Sequence, residues 1–474
     1  MTRQIRHLAT VVAVMFLALL LNASVMGLIR EPSLNADERN RRTADLEFAQ
    51  DRGAILVGDT QIASTTPVKD RFLFQRSYPQ GPLYAQVTGW YAYDYGRSGL
   101  EATWGKELAG QASSQTLDRF VDTVTGATPR GATVQTTLNA KMQQVASQQL
   151  GSRKGAVVAL DPKTGAVLAM VSAPTYDPNT LSSHDLAAAK ASWDALNADK
   201  NKPLANRAAR EIYPPGSTFK LVTAATALEN GMAPDALIDS PATLKLPGSS
   251  AVLGNQVDCG GAKVTLDQAL QTSCNTAFAN LAGQLGADKM RAQAQKFGFG
   301  QRQLSDLGGV ASRFPEKPDA AQTMMTGIGQ YDVAASPLQM AMVTAAIAND
   351  GVLKSPYVVS EVRSPDLRVL YRHGPDDTRA MSTENAKLLQ QMMVNVVDKG
   401  TGSKAQLDGV VVGGKTGTAQ SDLSRPPYAW FVAFAKNPDV VVAVFIEEAD
   451  IERSDIAGGR LAGPVARAVI QASR

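Results

Sequence analysis

The sequence predicts a mixed α/β protein in which a sheet built from both ends of a large C-terminal unit encloses a mainly helical insertion. A small N-terminal unit and one membrane-spanning helix precede it. Three observations predict this. An uncharged, mostly apolar run covers residues 8–29, from Leu8 to Ile29. Strand-like segments fall into two separated groups, GAVVALDPKTGAVLAMVSAP early in the larger unit and GVVVGGKTGTAQ, YAWFVAFA and VVVAVFIEE late in it. Between the groups, the chain from Leu186 to about Phe299 is alanine-rich and mainly helical in pattern, with loops at its Gly and Pro clusters.

The apolar run would span about 33 Å as a helix, enough to cross a hydrocarbon core of about 30 Å. It is longer than the apolar part of a usual secretory signal and no A-x-A-like site closes it, so a retained anchor is expected behind a short tail of residues 1–7. Arg3 and Arg6 precede the run while Arg30, Arg39, Arg41 and Arg42 follow it, so charge asymmetry does not fix its orientation. At 474 residues, 44% hydrophobic and 19% charged, the rest is a globular mixture too long for one ordinary domain. A net charge of +3 from 47 basic and 44 acidic residues leaves no dense basic stripe, and no nucleic-acid partner is indicated.

Residues 30–132 read as a polar unit of short segments broken by Gly and Pro, with no catalytic constellation. Trp90, Tyr91, Tyr93 and Tyr95 in it suit either ordinary packing of a small domain or a surface that docks a partner. The larger unit occupies residues 133–474. VQTTLNAKMQQVASQQL suits a strand leading into an amphipathic helix, the turn DPKTG joins two apolar strands, and an apolar helix from Ala462 to Ile470 closes the chain. Two cysteines, Cys259 and Cys274, are present. An exported unit would permit a disulfide between them, adding about 3 kcal/mol in the chain-entropy model, and two separate core residues fit the sequence equally well. There is no CxxC, and His7, His184 and His373 are scattered, so neither a metal site nor a cofactor is expected.

Three short motifs offer chemistry. In PPGSTFK, Ser217 opens a helix after two prolines and Lys220 follows three positions later on the same face. The continuation LVTAATALENG has almost no polar face, so the helix should be buried and end at Gly231. A serine hydroxyl needs a base, and burial favours the neutral amine that would make Lys220 one. Alone, this pattern also fits an N-cap serine and a surface lysine. In Ser273-Cys274-Asn275, a hydroxyl could pass a proton and an amide could hold a peptide backbone, although a polar break between two helices has the same appearance. In Lys415-Thr416-Gly417-Thr418, a lysine and two hydroxyls suit a carboxylate and the glycine would let a ligand approach the backbone. Gly409 to Thr416 also satisfies the phosphate-loop pattern G-x-x-x-x-G-K-T. That loop must open a helix, whereas TGTAQSDLSRPPYAWF contains two prolines and runs into another strand.

SxxK, SxN and KTG in this order and spacing resemble the penicillin-binding protein and serine β-lactamase superfamily. Asn206-Arg207, GIGQYDVAASPLQMAMVTAAIANDG, KGTGSKA and the TAQ tail of the third motif look like its transpeptidase domain. The anchor and the segment ending GRSGLEATW resemble the non-catalytic pedestal of class B penicillin-binding proteins in the short penicillin-binding protein A form. No glycosyltransferase-sized segment precedes it, which disfavours the bifunctional class A type. The resemblance implies an antiparallel sheet flanked by helices plus a helical subdomain, and a peptidoglycan D,D-transpeptidase that β-lactams acylate. It implies Ser217 as nucleophile, Lys220 as base, Ser273 and Lys415 as proton relay, Asn275 on the donor amide, and Thr416, Gly417 and Thr418 around the terminal carboxylate. Backbone N–H groups of Ser217 and Thr418 would form the oxyanion hole. The implied partners are stem peptides ending in D-Ala-D-Ala, β-lactams, the cell membrane, and other wall-synthesis or division proteins, with the catalytic unit extracytoplasmic.

Three other functions share these features. A β-lactamase would need a base that activates water, and no Glu-x-x-x-Asn element lies between the second and third motifs. A D,D-carboxypeptidase would pass the same acyl group to water. A chain acting mainly as a structural partner in a wall-synthesis complex would keep its role without Ser217.

Overall fold

The computed structural model describes residues 2–30, 45, 48–115, 130–374, 376–419, 425–449 and 452–474. Arg39, Arg41 and Arg42 beside the apolar run, and Gln420 at the end of the third motif, lie outside the described residues.

The N-terminal run is a helix, Thr2–Ser24, continued by a π-helical segment, Val25–Arg30. It starts before Leu8 and takes in Arg3 and Arg6. Arg3–Gly27 is long and apolar enough to cross a membrane, and no part of that stretch is covered by the rest of the protein. An apolar helix left bare in this way has no core to join, which fits a membrane and not a buried core element.

The larger unit is organised around one five-stranded sheet: β1 (Lys154–Leu160), β2 (Val167–Ala173), β3 (Val411–Ala419), β4 (Tyr428–Lys436) and β5 (Val440–Glu448). Its order is β3-β4-β5-β1-β2, antiparallel throughout, so strands from both ends of the unit meet at the β5–β1 pair. Successive side chains along β4 face opposite sides: Trp430, Val432 and Phe434 join one core, and Ala429, Phe431 and Ala433 the other. Both faces are covered, which is why these strands read as continuous apolar runs rather than as alternating ones. Helices Ala140–Leu150 and Gly463–Ala472 pack on one face, and Pro337–Ala348 and Thr383–Lys399 on the other. Helix α1 (Lys220–Glu229) packs against both of the latter and against α2 (Asn275–Leu285). Every residue of α1 from Lys220 to Leu228 is buried, as its lack of a polar face requires.

Two features were not foreseen. The insertion contains two small ribbons, Leu237–Asp239 with Lys263–Thr265 and Thr243–Lys245 with Val252–Gly254. The N-terminal unit also shares a six-stranded sheet with the larger one. Thr133–Thr136 pairs in parallel with Ile55–Val57 and antiparallel with Val359–Arg363, so the sheet runs through the boundary expected at residue 132. Inside that unit Glu101 accepts from Arg52 at 2.7 Å and from Arg76 at 2.6 Å, all three buried. The aromatic cluster is spent on packing: Tyr91 stacks on Phe48, and Trp90 and Tyr95 lie against Trp193 of the larger unit.

Candidate active site

The nucleophile turn is held from three sides. Gly216, at φ +53°, donates its N–H to the Gly329 carbonyl at 3.1 Å. Gly329 itself has φ +68°, and a Cβ there would sit 2.2 Å from the Gly216 carbonyl, so only glycine permits this contact. The Trp430 indole N–H on β4 donates to the Pro214 carbonyl at 3.0 Å, and the Thr218 hydroxyl to the Pro215 carbonyl at 2.7 Å. Ser217 lies in the resulting 3-10 turn Gly216–Phe219, half-buried, one residue pair before α1 begins at Lys220.

The second motif reaches Lys220 through a tight helix ending. Helix Leu266–Gln271 closes with Cys274 N–H on the Ala269 carbonyl at 2.9 Å and Ser273 N–H on the Leu270 carbonyl at 3.2 Å. This is the paired closure that usually has glycine at its left-handed position. Here Ser273 occupies it, at φ +60°. The turn brings the motif back onto the lysine: Lys220 Nζ lies 2.7 Å from the Ser273 carbonyl, 2.7 Å from Asn275 Oδ1 and 3.2 Å from Ser273 Oγ. The first two are acceptors only. A neutral amine that donates to both keeps its lone pair for the Ser273 hydroxyl. Among the described residues, the Ser217 hydroxyl has no hydrogen-bond partner.

Electrostatics favour that neutral form. Burial pushes Lys220 well below the ordinary lysine range, and the nearby Lys415 charge pushes it further. Burial alone brings Lys415 down to about 7. Lys415 and Thr416 sit within β3, the edge strand, and Lys415 Nζ donates to the Thr416 carbonyl at 3.1 Å. From Val411 onward the phosphate-loop pattern is therefore strand and not loop. Gly417 has a different reason from the one expected. A Cβ there would meet Trp430 Cβ at 2.9 Å, Thr218 Cγ2 at 3.0 Å and the Pro215 carbonyl at 3.1 Å, so its space is filled by the nucleophile turn rather than left for a ligand.

Two cavities meet at Ser217 and Thr418. One, of about 340 Å³, has Thr401, Ser403, Lys404, Thr416, Gly458 and Arg460 among its lining. The other, of about 430 Å³, is bounded by Val252, Asn275, Met325, Ile328 and Gln330. Neither is lined by a carboxylate among the described residues. The Cys259 and Cys274 sulfurs are bonded, placing a disulfide inside the second motif. No cluster of His, Cys, Asp or Glu among the described residues could hold a metal.

Sequence reasoning did not single out Thr401, whose hydroxyl lies 2.9 Å from that of Thr416, nor the role of Gly329. Both fall in the flanking text KGTGSKA and GIGQ, noted only for its likeness. Asn255, which contacts the second motif, left no signal at all: it is one asparagine in a polar loop.

A half-buried serine three positions before a buried lysine that meets a second serine, beside an edge strand bearing a second buried lysine, defines a serine acyl-transfer site of the SxxK kind. Residues 155–471 match the penicillin binding protein transpeptidase domain and residues 52–134 the penicillin binding protein A dimerisation domain; the chain belongs to the penicillin-binding protein transpeptidase family. It is 40% identical to the peptidoglycan D,D-transpeptidase PbpA of Mycolicibacterium smegmatis over 100% of this chain and 99% of that protein. Identity to PbpA of Mycobacterium tuberculosis is 39% with the same coverage. Penicillin-binding protein A of M. tuberculosis, solved as a penicillin G acyl-enzyme complex, superposes with a TM-score of 0.85 at 40% identity, over 90% of this chain and 99% of that one. Its imipenem acyl-enzyme complex gives 0.85 at 39%, with the same coverage.

Proposed function

We propose that this chain is a peptidoglycan D,D-transpeptidase working through an acyl-enzyme on Ser217. The observation that supports it most is Lys220, fully buried, three positions after Ser217 and held by the Ser273 carbonyl, Asn275 Oδ1 and the Ser273 hydroxyl. Ser217 Oγ attacks the carbonyl of the penultimate D-alanine in a stem ending in D-Ala-D-Ala. Its proton passes to Lys220, the new C–O bond forms, and the tetrahedral oxyanion is held by the Ser217 and Thr418 backbone N–H groups, each donor contributing about 3 kcal/mol. Thr418 lies on an edge strand, where alternate N–H groups have no neighbouring strand to pair with. The C–N bond then breaks, with Ser273 and Lys415 relaying the proton to the departing D-alanine. Asn275 holds the donor amide, and Thr416 and Thr418 on either side of Gly417 take the terminal carboxylate in the arm that Lys404 and Arg460 line. An amine from a second stem attacks the ester, the new C–N bond forms, the bond to Ser217 Oγ breaks, and the proton the amine loses passes through Lys220 to Ser217 Oγ, restoring the serine.

β-Lactams acylate Ser217 and stay there. The N-terminal helix holds the chain in the cell membrane as a single pass. Residues 1–7 face the cytoplasm, and the pedestal (30–132) and transpeptidase (133–474) units lie outside, where the stems are. The chain works there beside other wall-synthesis or division proteins.

Labelled penicillin added to the full chain in detergent should attach to the peptide containing Ser217, one label per chain. Ser217→Ala should take none, and label retained by that variant would refute the assignment.

A further inference from the structure

Helix α2 begins at Asn275, and the residue in its N-cap position is Cys274. A cap normally offers a side-chain oxygen to the first free N–H groups. Cys274 cannot do so, because its sulfur is joined to Cys259 and no cap bond comes from its own side chain. The oxygen arrives from another segment. Asn255 Oδ1, on the loop after the Thr243–Lys245/Val252–Gly254 ribbon, accepts from Asn275 N–H at 2.8 Å and from Thr276 N–H at 3.0 Å. Its amide nitrogen donates to Thr276 Oγ1 at 2.9 Å and to the Pro241 carbonyl at 3.3 Å. The same loop returns through Gly254, whose carbonyl accepts from Asn275 Nδ2 at 3.1 Å.

We propose that Asn255 is a positioning residue for acyl transfer: by capping α2 from outside, it holds the backbone of Asn275 so that Asn275 Oδ1 and Ser273 stay on the Lys220 amine. The inference rests on the acyl-enzyme reading of Ser217. Asn275 gives one Nδ2 hydrogen to Gly254 and its backbone N–H to Asn255, which turns Oδ1 toward Lys220 and leaves the second Nδ2 hydrogen for the donor amide. The disulfide is the second tether of the same loop, joining Cys259 to the residue between Ser273 and Asn275. Gln256, next to Asn255, lines both arms of the cleft, so the loop that caps the helix is also cleft wall. Asn255 itself borders the arm of about 430 Å³, but its hydrogen bonds go to Asn275, Thr276 and Pro241, so its hold on the Lys220 amine is exerted through Asn275.

The experiment measures the rate and the final extent of labelling of the full chain by a fluorescent penicillin, for wild type, Asn255→Ala and Asn255→Asp. Asn255→Ala should acylate at least tenfold more slowly while still reaching one label per chain, because the folded site is intact but misaligned. Asn255→Asp keeps an oxygen for both N–H groups and should recover to within about threefold of wild type. A wild-type rate within a factor of two for Asn255→Ala overturns the proposal. So does a reduced extent at unchanged rate, which marks lost folding rather than lost alignment, or an Asn255→Asp variant that labels fully but as slowly as Asn255→Ala. A wild type that takes no label overturns the acyl-enzyme reading itself and this inference with it.

Discussion

Lys220 and Lys415 have opposite tasks within one buried site. Lys220 must be neutral to accept a proton, and burial together with the Lys415 charge pushes it that way. Removing a like charge raises the pKa of the ammonium that remains. Lys415→Gln should therefore move the acid limb of the acylation profile to higher pH, because Lys220 then holds its proton longer. Lys415→Arg keeps the charge and should leave that limb in place. A limb at the same pH in Lys415→Gln would mean that Lys415 does not tune the base. Lys220→Ala should lower acylation by about 10²- to 10⁴-fold, the usual contribution of a positioned base, as measured by the second-order rate of penicillin labelling.

Among the elements, the long apolar strands and α1 were legible because each is buried on every side and so carries an unbroken apolar pattern. The ribbons between Leu237 and Thr265 were not. They are three residues long, and Val252–Gly254 and Thr243–Lys245 are largely exposed, so no core imposes a period on them. With the ribbons went Asn255, since a cap supplied from another segment has no fixed spacing from the helix it serves. The Cys259–Cys274 bond closes a loop with a sequence separation of 15 that contains the Lys263–Thr265 strand of one ribbon. Replacing both cysteines by serine should lower stability by about 3 kcal/mol in the chain-entropy model, read as a shift in denaturant midpoint. An unchanged midpoint would show that the bond adds nothing the ribbons lack.

At the scale of the whole molecule, the N-terminal unit and the catalytic unit are interlocked rather than strung together. They share a sheet through Thr133–Thr136. Gln86 donates to the Pro203 carbonyl at 2.9 Å while its own carbonyl accepts from Asn206 at 3.1 Å, on the stretch that leads to the nucleophile. That sheet was hidden because Val359–Arg363 lies more than two hundred residues from Thr133–Thr136, the strand it pairs with. The N-terminal unit is fastened internally by Glu101 between Arg52 and Arg76. Burial pushes the Glu101 carboxyl up, but the two guanidinium groups outweigh it and hold the group below the usual carboxylate range. Glu101→Ala would leave two buried cations without their anion and should cost about 3–5 kcal/mol of stability. A variant that unfolds at the wild-type denaturant concentration would contradict this. The measurement that most directly tests the central claim supplies the full chain with a stem ending in D-Ala-D-Ala and a second stem bearing a free amine, and follows the products by mass. The site described here predicts an amide-linked dimer with release of one D-alanine, increasing with amine and absent from Ser217→Ala. A hydrolysed stem as the sole product at every amine concentration, or a dimer formed without Ser217, would contradict it.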